Sequence, residues 1–200
     1  ELAEIAKKNV KLNGYANIIE VINDDITVFS TKEPVDIVMM EMMDTGLVQE
    51  YQVPAIINLK KNGVISDKTI LLPDRVACGA QLINYDFDFY GFTMPYILQA
   101  RNEGVRTRIK ETLSEIKLYK EVNLNYFLSD HVDEKVVYEI TSDGILNAIE
   151  LTTKIALSNH EVAHTSDMNM PIVLPVSNLE VKRGDRVELE LHYLMGQGFL

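Results

Sequence analysis

Two glutamates, Glu41 and Glu50, stand nine positions apart in the stretch EMMDTGLVQE, directly after the apolar run VDIVMM. A continuous apolar run of this length is typical of a buried parallel strand, so we predict that Glu41 follows the carboxyl end of a strand. Ligands bind at that edge of open α/β sheets, which makes both carboxylates candidates for binding or catalysis. Acidic side chains are also common in solvated loops, and the pair alone leaves that interpretation open.

The elements that would position the pair change in character along the chain. ELAEIAKKNVKLNG and YQVPAIINLKKNG have apolar residues at helical spacing and end at glycine, whereas NIIEVIND and VDIVMM have strand character. This alternation predicts an α/β arrangement over residues 1–72. From Pro73 onward the short apolar runs are typical of an antiparallel barrel or sandwich, interrupted by an arm or short helix at about residues 90–116.

The composition of the 200 residues argues against several classes of function. The net charge is −11 and no cluster of five or more Lys and Arg occurs, which disfavours extended binding to RNA or DNA. No apolar run reaches the roughly 18 residues that span a bilayer, and the first ten residues lack a signal-peptide pattern. The single Cys78 cannot form an internal disulfide and is typical of a small buried side chain. We expect a soluble cytoplasmic protein without membrane association.

Four short motifs, in this order, resemble the protein arginine methyltransferases. VDIVMMEMMDTGLVQE is similar to the family's double-glutamate loop, NGVISDKTILLPDRV to the segment entering its barrel, YGFTMP to its tyrosine-glycine-phenylalanine motif, and LEVKRGD to its closing hairpin. The resemblance covers nearly the whole chain, and the spacing of the glutamates is its most specific element. It implies an S-adenosyl-L-methionine-dependent methyltransferase of α/β fold class, with a partial Rossmann-like methyltransferase sheet over residues 1–72 and an antiparallel β-barrel domain over residues 73–200.

By this resemblance Glu41 and Glu50 are the catalytic residues, and Glu41 also lies beside the cofactor. A guanidinium group has only N–H donors, which two carboxylates can bind from two sides. Holding the positive charge toward two nitrogens leaves the third able to attack the sulfonium methyl carbon. Met43 is expected to line an apolar wall for the substrate, although methionines are more often part of a core.

Asp25 and Ile26 are the residues that the resemblance places at the adenine of the cofactor. The carboxylate of Asp25 would accept from the adenine amino group, and Ile26 would pack on the ring. The sequence NDDI is an equally good turn, so both interpretations stay open. The family's glycine-rich loop and its ribose-binding acid would lie upstream of Glu1, so we expect part of a longer protein that binds the cofactor poorly alone. No metal site is predicted.

The resemblance fails at the family's threonine-histidine-tryptophan loop. Counting back from LEVKRG, the matching positions are Ser166, Asp167 and Met168, and the chain contains no Trp. Asp167 and Met168 would then face the substrate, with a negative charge where the family has an imidazole. His164 or His160 would take that role if the loop is offset.

The acidic chain and acidic site favour a protein substrate with a basic segment over a phosphate backbone. The stretch LINYDFDFYGF is shorter than the family's dimerisation arm, so a homodimer with a shortened arm is one option for the assembly. Two alternative functions remain. One is an RNA methylase on the same fold, and the other is a non-catalytic binding relative, which Asp167 favours and the retained glutamates disfavour.

Overall fold

The computed structural model describes residues 1–99, 106–126, 129–157, 162–164 and 170–198. The elements of these residues comprise two α-helices, one short 3-10 helix and thirteen strands. In chain order they are α1 (Leu2–Leu12), β1 (Ile37–Met39), the 3-10 helix (Thr45–Leu47), α2 (Gln52–Lys61), β2 (Ile70–Leu72), β3 (Arg75–Tyr85), β4 (Asp88–Phe89), β5 (Phe92–Thr93), β6 (Leu98–Gln99), β7 (Ile109–Thr112), β8 (Lys117–Asn123), β9 (His131–Glu139), β10 (Gly144–Ala156), β11 (Val162–His164), β12 (Ile172–Val181) and β13 (Arg186–Leu194).

The α/β layer contains the predicted strand VDIVMM as β1, which runs parallel to β2 with Ile37 opposite Ile70. The parallel pairing confirms part of the prediction. The expected burial on both faces is wrong, because Ile37 is 58% exposed and Met39 is 81% exposed. Only the face carrying Val38 packs against the core, since side chains alternate between the two faces of a strand.

The segment NIIEVIND, predicted as a strand, forms no strand in the structure, which describes this part of the chain in full. A strand needs a hydrogen-bonded neighbour, and no described strand pairs with this segment. The side chains of Ile18, Ile19 and Ile22 are exposed. The apolar residues of this segment therefore do not produce a strand.

The antiparallel part is built around β3 and β10, which pair over nine residues from Arg75 opposite Ala156 to Ile83 opposite Ala148. They are central to a seven-stranded sheet in the order β6-β12-β10-β3-β7, with β11 also on β10 and β8 also on β3. β3 pairs with β8 along its first half and with β7 at its far end. Strands β9 and β13 pair with each other as a separate two-stranded sheet.

One hydrophobic core joins the two sheets to the α/β layer. It contains Ile56 from α2, Leu151 from β10, Tyr138 from β9 and Leu191 from β13. The chain passes from the layer to the sheets between β2 and β3, across a cis peptide bond before Pro73. Of the predicted arm, β5, β6 and β7 are described, and residues 100–105 lie outside the described residues. No helix among the described residues is long and apolar enough to cross a membrane.

Candidate active site

The loop between β1 and α2, residues 41–50, carries both candidate glutamates and is called the acidic loop below. The start of the loop is fixed because the N–H of Met40, the residue before Glu41, donates to Leu72 O of β2 at 2.9 Å. Its two ends are tied by Gln52, whose side-chain Oε1 accepts from Met42 N–H at 3.1 Å and whose own N–H donates to Met42 O at 3.1 Å. This double contact brings the chain at Glu41 back beside the chain at Glu50.

The side chains of Glu41 and Glu50 are exposed, so both carboxylates are accessible to a ligand. Partial removal from water is the main cause that raises the pKa of Glu50, and the negative charges of Asp44 and Glu41 raise it further. The two predicted glutamates therefore lie within range of each other's charge, together with a third carboxylate. Such a group of like charges favours a cationic ligand, which would relieve the repulsion.

Asp44 is the third carboxylate, and it shapes the loop from within. Its side chain is only 5% exposed, and its two oxygens accept from the backbone N–H groups of Gln49 at 3.0 Å and Glu50 at 3.3 Å. Burial raises the pKa of Asp44, while these hydrogen bonds act in the opposite direction. Asp44 thus fixes the backbone that carries Glu50.

The centre of the acidic loop is anchored on the antiparallel strands. Gly46 has a left-handed backbone with φ +74°, its N–H donates to Thr153 Oγ1 of β10 at 2.7 Å, and its carbonyl accepts from Tyr193 Oη of β13 at 2.6 Å. The neighbouring Thr45 donates its hydroxyl to Met170 O at 2.5 Å. The 3-10 helix is buried as a result, and only the two ends of the loop reach solvent.

A groove of about 510 Å³ lies next to Glu50. Its walls are Gln49 and Tyr51 on one side, Ile97 from the predicted arm, and the turn at residues 196–198. This turn is held against the acidic loop because Gly196 N–H donates to Leu47 O at 3.0 Å and Gly198 N–H donates to Val48 O at 2.8 Å. The groove is lined by the residues on either side of Glu50 in the chain, Gln49 and Tyr51, and is open to solvent.

Asp25 and Ile26 lie on a turn next to α2. Oδ1 of Asp25 accepts from the N–H and the hydroxyl of Thr27 at 2.8 and 2.7 Å, and these bonds lower the pKa of Asp25. Ile26 is partly buried against the core, and its carbonyl accepts from the side-chain amide of Asn58 in α2 at 3.0 Å. The pair therefore presents an ionised, exposed carboxylate beside an apolar side chain.

The structure describes one of the remaining predicted substrate residues, Met43. It is 1% exposed and belongs to the hydrophobic core, and its contact with the substrate stays a prediction. Asp167 and Met168 lie outside the described residues, as does the alternative His160. Among the described residues no group of three or more His, Cys, Asp or Glu has the arrangement of a metal site.

Asp44, Gln52 and Gly46 were missed by sequence reasoning. Asp44 and Gln52 bind backbone groups five to ten positions away along the same stretch, whereas the partners of Gly46 lie more than a hundred positions away. The sequence contains only weak signals for these residues. They are a glycine in the middle of the loop and two polar side chains, Thr153 and Tyr193, in strand-like segments.

No family model matches the sequence. The chain is 28% identical over 194 residues to an uncharacterized protein of Methanocaldococcus jannaschii, an alignment that covers 96% of this chain and 69% of that protein.

Two similar solved structures are arginine methyltransferases. One is the PRMT1 enzyme-prozyme heterotetrameric complex of Trypanosoma brucei with AdoHcy, with a TM-score of 0.71, 17% identity, and coverage of 93% of this chain and 66% of that chain. The other is protein arginine methyltransferase 10 of Arabidopsis thaliana, with a TM-score of 0.74, 16% identity, and coverage of 96% and 70%. The chain therefore has the fold of the protein arginine methyltransferases, which confirms the resemblance at the level of fold. It spans about two thirds of the length of these relatives.

Proposed function

We propose that the chain forms the substrate-binding part of an S-adenosyl-L-methionine-dependent methyltransferase that modifies arginine side chains in proteins. The observation that carries the proposal is the acidic loop. It carries two exposed carboxylates, Glu41 and Glu50, at its two ends beyond the carboxyl end of a parallel strand, and the charge of Glu41 helps to raise the pKa of Glu50. The fold shared with arginine methyltransferases supports the same assignment.

The chemistry follows from the shape of a guanidinium group. It is planar and presents only N–H donors, so carboxylates on two sides bind it through charge-assisted hydrogen bonds. Glu41 and Glu50 would draw the positive charge toward the nitrogens that they bind, which leaves lone-pair density on the third nitrogen. The bound cofactor supplies an electrophilic methyl group, and the glutamates orient the attacking nitrogen toward it.

The electrostatics of the empty loop favour this substrate. The pKa of Glu50 is raised partly by Asp44 and Glu41, so the loop carries repulsion that a bound cation removes. Asp44 itself is buried and its oxygens are engaged by backbone N–H groups, which leaves the exposed pair to make the contact. The two glutamates would thus both bind the guanidinium group, while Asp44 adds to the negative potential of the loop.

Asp25 and Ile26 fit the adenine of the cofactor in chemical type. The Asp25 carboxylate is ionised and exposed, which suits an amino donor, and the adjacent Ile26 offers an apolar surface. The chain spans about two thirds of the length of the relatives that it matches, so we assign binding of the whole cofactor to the full-length protein.

A basic protein segment is the proposed substrate class. The groove beside Glu50 has room for residues flanking the target arginine, and the net charge of −11 favours a basic partner over a nucleic acid. An RNA methylase and a non-catalytic binding protein are the alternatives that the experiment must distinguish.

The test is methyl transfer from labelled S-adenosyl-L-methionine by the full-length protein, offered an arginine-rich peptide and a mixed RNA in separate reactions. Glu41→Gln and Glu50→Gln keep the side-chain shape but replace an acceptor oxygen with an amide donor. Each change should lower the rate about 100 to 1000-fold, as expected for losing one electrostatic partner in a preorganised site.

Glu180→Gln is the matched control, because this exposed glutamate lies on β12 away from the acidic loop and should leave the rate unchanged. Melting temperatures of all three variants should stay near that of the wild type. Label in the RNA alone would favour the RNA methylase, and no label in either substrate would favour the binding protein. Full activity in folded Glu41→Gln and Glu50→Gln would contradict the assigned roles.

A further inference from the structure

Gly46, in the middle of the acidic loop, is enclosed by hydrogen bonds from two sides. Its N–H donates to Thr153 Oγ1 of β10 at 2.7 Å, and its carbonyl accepts from Tyr193 Oη of β13 at 2.6 Å. Tyr193 Oη also lies 2.9 Å from Tyr119 Oη of β8. Both backbone groups of one loop residue therefore depend on side chains of the antiparallel strands.

Cys78 of β3 is buried in the core, with 0% of its surface exposed. Burial is the main cause that raises the pKa of Cys78, to about 12, so the group stays a thiol at neutral pH. Thr153, Tyr119 and Tyr193 are the three side chains that lie around Gly46, and they are called the Gly46 ring below.

The direction of donation around the ring is set by Gly46, because its N–H only donates and its carbonyl only accepts. Tyr193 gives its single hydroxyl hydrogen to Gly46 O, so Tyr119 donates to Tyr193. The series from Tyr119 through Tyr193 to Gly46 O therefore runs in one direction, and hydrogen bonds in such a series polarise and strengthen one another.

We propose that the Gly46 ring positions the acidic loop for catalysis, with Thr153, Tyr119 and Tyr193 acting on the substrate only through the loop backbone. Gly46 lies five residues after Glu41 and four before Glu50, so its position affects both glutamates. The three side chains come from β8, β10 and β13, so the ring ties the loop to the seven-stranded sheet and to the β9–β13 sheet. This inference rests on the proposed function for its catalytic consequence.

The side chains of the ring pack closely against Gly46. A Cβ atom at this position would come within 3.0 Å of Tyr119 Oη and 3.6 Å of Tyr193 Oη. Burial is the main cause that raises the pKa of both tyrosines, so both keep their hydroxyl hydrogens over the physiological pH range. The three side chains therefore enclose a left-handed backbone position that favours glycine, and both tyrosines keep a hydroxyl hydrogen to donate.

The first test is backbone amide hydrogen exchange in the full-length protein. Tyr193→Phe keeps the aromatic ring and removes the hydroxyl, so exchange at Gly46 and Gln49 should become about 10 to 100-fold faster, as for one lost buried hydrogen bond. Thr153→Val should have the same effect, and Thr153→Ser, which keeps the hydroxyl, should restore slow exchange. The control is Tyr138→Phe, which removes a buried hydroxyl that donates to Ala80 O at 2.8 Å, away from the loop.

The second test separates positioning from general stability through steady-state methyl transfer. Tyr193→Phe should lower kcat about tenfold or more while KM for S-adenosyl-L-methionine stays unchanged, and Tyr138→Phe should change neither. Equal loop exchange in Tyr193→Phe and Tyr138→Phe would overturn the inference, and so would faster loop exchange with an unchanged kcat. If the wild type transfers no methyl group but Tyr193→Phe speeds exchange at Gly46, the proposed function fails while the hold of the ring on the loop is supported.

Discussion

Replacing Gly46 with alanine tests the central geometric claim, that the acidic loop is held by a close fit against the antiparallel strands. At φ +74° an L-residue is strained by about 1–2 kcal/mol. The added methyl group would also meet Tyr119 Oη at 3.0 Å and Val48 Cγ2 at 3.1 Å. Moving Tyr119 Oη breaks its hydrogen bond with Tyr193 Oη, and a buried polar group left unpaired adds a cost of about 1–3 kcal/mol. The free energy of unfolding should therefore fall by about 2–5 kcal/mol.

Gly63→Ala separates the two contributions. Gly63 follows α2 with φ +71°, close to that of Gly46, and a Cβ atom there would meet nothing within 4 Å. This control should lose only the backbone part, about 1–2 kcal/mol. Urea unfolding of both variants, followed by circular dichroism at pH 7, measures the difference. Equal losses in the two variants would refute the close fit at Gly46, and with it the argument that the ring shapes the loop.

Two further predictions concern the charges of the loop. Asp44→Asn keeps an oxygen for Gln49 N–H but removes a charge that raises the pKa of Glu50. The pKa of Glu50 should therefore fall, as measured by carbon NMR of its carboxyl group. An unchanged pKa would contradict the coupling between Asp44 and Glu50. Because folding raises the pKa of Glu50 above its ordinary 4.5, its contribution to stability is present at lower pH and is lost as pH rises through the folded pKa. Urea unfolding from pH 4 to 8 should show this decline, and a Glu50→Gln variant with the same decline would contradict it.

The elements with strong periodicity could be predicted from the sequence. α1 and α2 lie where helical spacing and the glycine ends indicate them, and the antiparallel strands begin just after Pro73, where the short apolar runs begin. The glutamate pair was also recognisable from its place after an apolar run. These features depend on neighbours within a few residues, which a single sequence contains.

The errors and omissions involve partners that a local pattern does not specify. The segment NIIEVIND has the composition of a strand, but pairing decides whether a strand forms, and no described strand runs beside it. Likewise Gly46 is separated by 107 positions from Thr153 and by 147 from Tyr193. The hydrogen bonds that shape the candidate site are therefore properties of the fold.

Holding two glutamates near a buried aspartate costs free energy, because like charges repel and Asp44 is desolvated. The surrounding structure must offset this cost before any substrate arrives. Three groups of contacts do so: the Gln52 tie at the ends of the loop, the backbone N–H groups on Asp44, and the ring around Gly46. None of them occupies the exposed pair, so the charge that would meet a guanidinium stays available while the backbone beneath it is fixed. This division between a fixed interior and an exposed charged rim is the arrangement that orientation-based catalysis requires.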